Sequence, residues 1–254
     1  MTFKKHIPNI LTLLNLLSGT IAVFFAVKEQ MVIAALFVFM GILFDFADGF
    51  VARLLNVQGE LGKQLDSLAD LVTSGLVPGI VMFQMILGSV SNEGWVVDGY
   101  ANIEMTLNDY LSVIYITAAV GLLFTLAAAY RLAKFNIDER QTSSFIGLPT
   151  PAASLVVLSL PLMLAYSSNE MVIALIQNTW FLIGLTLLLC YLMNAEIPLF
   201  SLKFKNYKWK NNKVKFVFVL VTLILVVALQ FIAIPLVIIW YVLLSMLTKE
   251  KENL

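Results

Sequence analysis

The chain has 254 residues and a formal net charge of zero, so its charge gives no reason to expect a nucleic acid partner. A hydrophobic content of 60% with only 13% charged residues excludes an ordinary soluble domain and is typical of a protein that crosses a membrane many times. The single cysteine, Cys190, excludes an internal disulfide. The single histidine, His6, argues against a histidine-rich zinc site or a Ser-His-Asp triad.

Long apolar segments predict an all-α protein, a polytopic helical bundle embedded in the membrane. Six spans are predicted first, at about 7–27, 31–55, 60–88, 110–135, 148–166 and 171–193. They form the six-helix catalytic core, about 1–197, of a single membrane domain that takes up the whole chain, 1–254. A nearly continuous apolar stretch follows at about 216–247, which is long for one span and short for two.

The positions of the basic residues decide between one span and two for that stretch. If it crosses twice, fifteen of the sixteen lysines and arginines lie on one side of the membrane, with Lys28 the exception. The positive-inside rule makes that side cytoplasmic. We therefore predict about eight spans, with a C-terminal two-helix extension at about 212–248 and both termini in the cytoplasm. The six lysines of 203–215 should contact anionic lipid headgroups of the cell membrane.

Polar residues are concentrated in the 26 residues 45–70, DFADGFVARLLNVQGELGKQLDSLAD, which contain four aspartates. On a helix, the spacing of the first half places five residues on one stripe, namely Asp45, Asp48, Gly49, Ala52 and Arg53. Gly62, Asp66 and Asp70 recur every four residues and form a second stripe. The intervening 56–59 has turn chemistry, so the two helices should be antiparallel with their stripes facing each other.

Four carboxylates in one small volume near a membrane require compensation by cations. An aspartate inside a membrane span costs roughly 2.5–3.5 kcal/mol on insertion scales, and four of them approach the stability of a whole domain. Oxygen ligands without thiolate or imidazole favour Mg²⁺ or Mn²⁺, with Ca²⁺ possible, and four carboxylates suit a pair of ions. The alternative, from a different functional class, is a cation transporter that uses the same carboxylates as an ion path.

The eight residues of the two stripes, at these spacings, resemble the complete signature of the CDP-alcohol phosphotransferase family. The resemblance implies that family's helical membrane fold and a metal-dependent transfer that displaces CMP from a CDP-linked lipid or alcohol. It also implies that Asp45, Asp48 and Asp66 are metal ligands, and that Asp70 is both a ligand and the general base. Homodimerisation is a further expectation from the family, and we expect the site to face the cytoplasm.

The expected binding site for the CDP-linked lipid combines both stripes with the first helix. The pattern of Pro8, Asn9, Thr12 and Asn15 resembles the opening of the phosphatidylserine synthase branch of the family, where this helix helps to hold the CDP group. Gly49 and Ala52 leave room for the nucleotide, and Arg53 offers a planar fork for phosphate. The predicted CDP-diacylglycerol-binding residues are Pro8, Thr12, Asn15, Gly49, Ala52, Arg53, Gly62 and Ser67.

The acceptor is predicted from 131–136, RLAKFN, and 147–153, GLPTPAA, which resemble the same branch. The resemblance implies transfer of a phosphatidyl group from CDP-diacylglycerol to the hydroxyl of L-serine. Serine carries a carboxylate, so we predict that Arg131, Lys134 and Asn136 bind it. Two related acceptors, inositol phosphate and glycerol phosphate, remain as alternatives within the family.

Overall fold

A computed structural model of the chain describes residues 6–91, 113–138, 145–200 and 209–252. These residues are almost entirely helical, which confirms the predicted all-α class. The α-helices are α1 (His6–Val27), α2 (Met31–Leu54), α3 (Glu60–Asp70), α4 (Val77–Val90), α5 (Val113–Ala118), α6 (Leu123–Ile137), α7 (Thr150–Tyr166), α8 (Glu170–Ile176), α9 (Thr179–Asn194), α10 (Trp209–Leu229) and α11 (Ala233–Glu252). Most of the polar stretch between the third and fourth predicted spans, and the first part of the lysine run, lie outside the described residues.

Three short segments join these helices into longer ones. A π-helical segment, Leu71–Leu76, connects α3 to α4. The 3₁₀ turns Ala119–Leu122 and Gln230–Ile232 connect α5 to α6 and α10 to α11. Two strands of two residues each, β1 (Phe145–Ile146) and β2 (Pro198–Leu199), pair in antiparallel orientation.

Among the described residues, five helical segments are long and apolar enough to cross a membrane, and they are His6–Val27, Met31–Leu54, Glu60–Val90, Ile114–Ile137 and Asn212–Leu247. Helices α8 and α9 add a sixth if they count as one span, although the chain bends by 70° between them. Helix α7 has 17 residues and is largely buried among its neighbours. The chain is therefore a polytopic helical membrane protein.

The C-terminal apolar stretch forms a helical hairpin. Gln230 has a φ of 49°, which interrupts the helix between α10 and α11. The rings of Phe218 and Tyr241 are 5.6 Å apart, whereas a continuous helix would separate these residues by about 35 Å at 1.5 Å per residue. Helices α10 and α11 are therefore antiparallel, and the segment passes along the bundle twice, as the placement of lysines predicts.

Contacts at the two ends of the bundle show that the chain alternates in direction. At one end, the Gln84 amide donates to the Val27 carbonyl, and the hydroxyls of Ser89 and Thr179 are 2.9 Å apart. The ring of Tyr166 lies 5.6 Å from that of Phe231 at the same end. The start of α1, the end of α2 and the start of α3 meet at the opposite end, which carries the aspartate motif. The described helices therefore alternate in direction, and the number of eight membrane spans stays a prediction.

Small residues allow α1, α2 and the π-helical segment to pack closely. A Cβ added at Gly41 would lie 2.7 Å from Thr73 Cγ2 and 2.8 Å from Asn15 Oδ1. A Cβ at Gly19 would likewise meet the Thr73 side chain. Such close approach at glycine is the usual way in which membrane helices gain packing contacts. It holds the start of α1 against the helices that carry the four aspartates.

The eight predicted spans imply which positions are reachable from each side of the membrane, including Asp98 and Asn253, which lie outside the described residues. In a Cys190→Ser background, Ser168→Cys and Asp98→Cys should react with a membrane-impermeant thiol reagent added outside intact cells. Gln58→Cys and Asn253→Cys should react only after the membrane is opened, because the positive-inside rule places them in the cytoplasm. An externally labelled Asn253→Cys would contradict the double crossing of the C-terminal hairpin.

Candidate active site

Three aspartates from two helices form a compact carboxylate cluster. Asp45 and Asp48 lie on α2, and Asp66 lies on α3. One carboxylate oxygen from each residue can be chosen so that all three lie within 4.8 Å of one another. The turn after α2, where Asn56 has a φ of 52°, reverses the chain and brings the two stripes together. The sequence spacing therefore predicts this part of the site correctly.

The cluster has the donor set and the unmet polar capacity of a metal site. Asp48 is only 6% exposed, and Asp66 Oδ1 is buried without a hydrogen-bond partner. Within the described ranges, no lysine or arginine forms an ion pair with the three carboxylates. Closely spaced carboxylates repel one another, and buried charges require pairing. Oxygen-only donors fit a hard divalent cation such as Mg²⁺ or Mn²⁺.

A cavity of about 500 Å³ opens beside the cluster and has Asp48 and Asp66 in its wall. The start of α1 forms one side, where the Thr12 hydroxyl donates to the Asp48 carboxylate. Arg53 and Lys63 add positive charge to the lining. Its volume falls in the range of small-molecule and cofactor sites, roughly 300–1,000 Å³. The cavity therefore offers cationic side chains to an anionic ligand. The carboxylates at one end of the cavity require a cation.

Most of the predicted lipid-nucleotide residues line this cavity. Those that do are Pro8, Thr12, Gly49, Ala52, Arg53 and Gly62. Asn15 and Ser67 are not among its lining residues. Asn9, from the same predicted run on α1, also lines the cavity. The structure adds lining residues for which the sequence reasoning assigned no binding role, including Gln58, Glu60 and Lys63. The place of Lys63 in the cavity lining could have been predicted from the sequence, because it lies three residues before Asp66 and so on the same face of the helix.

Asp70 lies outside the group of three carboxylates within 4.8 Å of one another, but it still interacts electrostatically with Asp66 and Asp48. Its Oδ1 accepts a hydrogen bond of 3.2 Å from the Asn15 side-chain amide. It also interacts electrostatically with Arg131 on α6. The π-helical segment begins at the next residue, and π-helical turns inside α-helices are frequent at functional sites. Asp70 is therefore one turn away from the carboxylate cluster and is oriented by two other helices.

Arg131 is the deepest of the three predicted acceptor-binding residues. It is 7% exposed, and its two terminal nitrogens lie 3.4 Å from Thr150 Oγ1 and 3.4 Å from the Gly147 carbonyl oxygen. Its Nε is buried without a hydrogen-bond partner. Gly147 has a φ of 75°, a conformation that favours glycine and that lets its carbonyl reach the guanidinium. The 147–150 turn therefore presents its polar groups to Arg131.

The other two predicted acceptor residues point elsewhere. Lys134 forms an ion pair of 3.6 Å with Glu196, and both side chains are partly exposed. The Asn136 amide donates to Ser67 Oγ over 2.9 Å, and the Asn136 carbonyl accepts from Lys63 Nζ over 2.6 Å. Ser67 and Asn136 thus fasten the end of α6 to α3. The structure does not bring Lys134 and Arg131 together, and the roles of all three in acceptor binding stay predictions.

Metal binding should be visible in thermal stability without any substrate. In chelator, Asp66→Asn should unfold at a higher temperature than the wild type, because one of three repelling charges is removed. Each kcal/mol gained corresponds to roughly 2–4 °C for a chain of this size. Added Mn²⁺ should stabilise the wild type by mass action and Asp66→Asn much less.

The exposed, distant Glu170→Gln variant is the control in the same detergent, and it should match the wild type with and without Mn²⁺. An equal Mn²⁺-induced rise in the wild type and in Asp66→Asn would contradict metal binding at the three carboxylates.

Comparisons with known proteins assign the fold and motif to a family. The profile of the CDP-alcohol phosphatidyltransferase family matches residues 5–192. A CDP-diacylglycerol–serine O-phosphatidyltransferase of Bacillus subtilis is 29% identical over 204 residues, covering 80% of this chain and 92% of the relative.

Two further relatives match over shorter stretches. An enzyme of the same name from Helicobacter pylori J99 is 33% identical over 152 residues, 59% of this chain and 54% of the relative. An archaetidylserine synthase of Methanothermobacter thermautotrophicus is 28% identical over 164 residues, 63% of this chain and 60% of the relative. The family match covers well over half of the chain and includes the whole aspartate motif, so this protein belongs to the CDP-alcohol phosphatidyltransferase family.

Proposed function

We propose that this protein transfers the phosphatidyl group of CDP-diacylglycerol to the hydroxyl of L-serine, producing phosphatidylserine and CMP. The observation that carries the proposal is the position of Asp70. It follows the carboxylate cluster by one helical turn and interacts with the buried Arg131 on the other side. Asp70 lies between the proposed phosphate site and a buried guanidinium. It is therefore suited to accept the hydroxyl proton of an acceptor whose own carboxylate binds the guanidinium. The names of the relatives point to the same donor and acceptor.

The donor site is the cavity beside the carboxylate cluster. Arg53 and Lys63 in its wall can donate hydrogen bonds to the pyrophosphate. A Cβ added at Gly49 would meet nothing within 4 Å, so this face of α2 leaves space for a ligand to approach the backbone. Asp45, Asp48 and Asp66, with Asp70 as a further ligand by family resemblance, would hold the divalent ions, and four carboxylates suit a pair of them. When bound, the ions would neutralise charge on the phosphates and on the departing CMP.

The acceptor site is the region around Asp70 and Arg131. In the net reaction, a bond forms between the serine oxygen and the phosphorus that carries diacylglycerol, and the bond from that phosphorus to the CMP oxygen breaks. Asp70 accepts the hydroxyl proton, and the bridging oxygen leaves with its electron pair on CMP. The guanidinium of Arg131, with its unpartnered Nε, would bind the serine carboxylate.

Charge near Arg131 favours serine over phosphorylated acceptors. Inositol phosphate or glycerol phosphate would bring a phosphate with up to two negative charges beside Asp70. Among the described residues, Arg131 is the buried cation on this side, since Lys134 pairs with Glu196 and Lys63 donates to a backbone carbonyl. A single guanidinium matches the single negative charge of a carboxylate better.

A cation transporter is less compatible with the packing beyond the site. Beyond the π-helical segment, α4 continues with Val81, Met82 and Met85, which are fully buried in the apolar core. In the part of the chain that the structure describes, the carboxylates therefore open to a cavity at one end of the bundle. Toward the other end, the α4 residues beyond them pack in the apolar core. An ion path would require a polar lining on both sides.

The proposal is tested by CMP release from CDP-diacylglycerol by the purified protein in detergent. We expect release with L-serine and Mn²⁺ or Mg²⁺, formation of phosphatidylserine, and no release in EDTA. D-Serine, inositol, inositol phosphate and glycerol phosphate are the comparison acceptors. Stronger release with a phosphorylated acceptor would assign the protein to a sister activity, and equal activity in metal-free chelator would contradict the metal-dependent mechanism.

Gly49→Ala should separate ligand access from folding. The added methyl enters open space on the cavity side, so turnover or donor affinity should fall, by about tenfold or more if the nucleotide contacts the backbone there. Folding should be unaffected or improved, because alanine is favoured over glycine in a helix by up to about 1 kcal/mol. Gly184→Ala on α9 is the matched control, since its Cβ also meets nothing within 4 Å and it lies outside the site. Full activity of Gly49→Ala would place the nucleotide elsewhere.

Replacing Asp70 should lower kcat, whereas replacing Arg131 should raise the serine KM. Asp70→Asn keeps the size of the side chain and removes the base, so kcat should fall about 10²–10⁴-fold with every acceptor. Arg131→Ala should raise the serine KM about tenfold to a hundredfold, since the carboxylate loses a charge-assisted partner. Lys134→Ala tests the other predicted cation of the acceptor site, and we expect a smaller effect on the serine KM because Lys134 pairs with Glu196. An unchanged serine KM in Arg131→Ala would remove the acceptor site from this position, and loss of donor affinity would move Arg131 to the pyrophosphate.

A further inference from the structure

Asn15 makes a specific contact that its position in the sequence does not suggest. It lies on α1 in the same run as Pro8 and Thr12, which line the cavity. Asn15 itself is fully buried and does not line the cavity, and its side-chain nitrogen donates to Asp70 Oδ1 over 3.2 Å. The two residues are 55 positions apart, so the contact exists only because α1 packs against α3. Asn15 therefore contacts the proposed base and not the donor cavity.

The chemistry of the pair fixes the orientation of the amide. An ionised carboxylate can only accept hydrogen bonds, so the amide must present its NH₂ group to Asp70. The amide oxygen then points away from Asp70, and it is buried without a hydrogen-bond partner. An unpartnered buried oxygen is unfavourable, so packing alone would be better served by an apolar side chain here. The contact with Asp70 is the feature of Asn15 that an apolar side chain would lack.

The surroundings of Asn15 hold its side chain in this orientation. The amide oxygen packs against Gly41 on α2, where an added Cβ would lie 2.8 Å away. The Thr73 hydroxyl, from the π-helical segment, donates to the Asn15 backbone carbonyl over 3.2 Å. Asn15 is therefore clamped between α2 and the π-helical segment, and Asp70 is the last residue before that segment. The Thr73 bond reaches only the backbone of Asn15, so the orientation of the side-chain amide rests on the contact of its oxygen with Gly41 and on its bond to Asp70.

We infer that Asn15 is a positioning residue that orients the Asp70 carboxylate for proton abstraction from the acceptor hydroxyl. The inference rests on the proposed function, because it concerns the base of that reaction. One oxygen of Asp70 is occupied by the amide, which leaves the other for the acceptor. Asn15 acts on turnover through Asp70 and contributes little to binding of either substrate.

The test is the separation of kcat from KM in Asn15→Leu, which keeps similar volume and removes the amide. We expect kcat for the serine reaction to fall about tenfold to a hundredfold, the loss typical of a hydrogen bond to a charged group. The KM values for serine and CDP-diacylglycerol should stay within about twofold, given the burial of Asn15 away from the cavity. The Mn²⁺-induced thermal stabilisation should persist, because the three clustered carboxylates are intact.

Thr73→Val is the matched control, because it removes a hydrogen bond from the same buried interface without touching Asp70. It should retain nearly normal kcat. In an Asp70→Asn background, adding Asn15→Leu should cause no further loss, since residues that act as a unit are strongly non-additive.

Three outcomes would overturn the inference. A raised KM for CDP-diacylglycerol with normal kcat in Asn15→Leu would make Asn15 a contact of the donor. An equal loss of kcat in Thr73→Val would make the effect a general one of this interface. A further loss of kcat when Asn15→Leu is added to Asp70→Asn would show that Asn15 does not act through Asp70. Failure of the proposed function is distinguishable, because the wild type would then release no CMP with serine. In that event the comparison is made with the acceptor that does support release, and absence of release with every acceptor overturns both proposals.

Discussion

The structure depends on the gathering of three carboxylates whose oxygens lie within 4.8 Å of one another at one end of a membrane bundle. Like charges at this separation repel, and burial in a poorly polar environment strengthens the repulsion. The described residues offer no ion-paired lysine or arginine to neutralise them. A bound divalent cation would resolve this conflict, so under the proposed function the carboxylates that repel one another would also equip the protein for phosphate chemistry.

Under the proposed function, the helices around the cluster divide the site into a donor side and an acceptor side. The donor side is formed by α1, α2 and the start of α3, with a cavity that is open and carries basic side chains. The acceptor side is formed by the end of α6 and the 147–150 turn, which together surround Arg131. Asp66 and Asp70 lie one turn apart on α3, so this helix faces both sides. A phosphoryl group on the donor side and a hydroxyl on the acceptor side would therefore meet along α3.

The sequence predicted the features that follow from local periodicity. Spacings of three, four and seven residues placed Asp45 and Asp48 on one stripe of α2, and turn residues at 56–59 brought Asp66 opposite them. The C-terminal hairpin followed from the lysines, and Phe218 and Tyr241 support it by their contact.

Features that depend on contacts between distant segments could not be predicted in this way. Asn15 shares a helix face with Thr12, and only the depth at which α1 packs against α3 directs its amide to Asp70. Lys134 turns toward Glu196, a residue that follows α9, although it lies in the same short segment as Arg131. The π-helical segment after Asp70 has no simple signature in composition either.

The most direct measurement of the central claim is anomalous diffraction from crystals of the protein grown with Mn²⁺ and CDP-diacylglycerol. The account predicts Mn²⁺ at coordinating distance, roughly 2.0–2.3 Å, from oxygens of Asp45, Asp48 and Asp66. It also predicts the nucleotide phosphates in the cavity next to Gly49 and Arg53, with Asp70 still accepting from Asn15. An anomalous peak bound by other residues, or crystals that hold the nucleotide without metal at the three carboxylates, would contradict it.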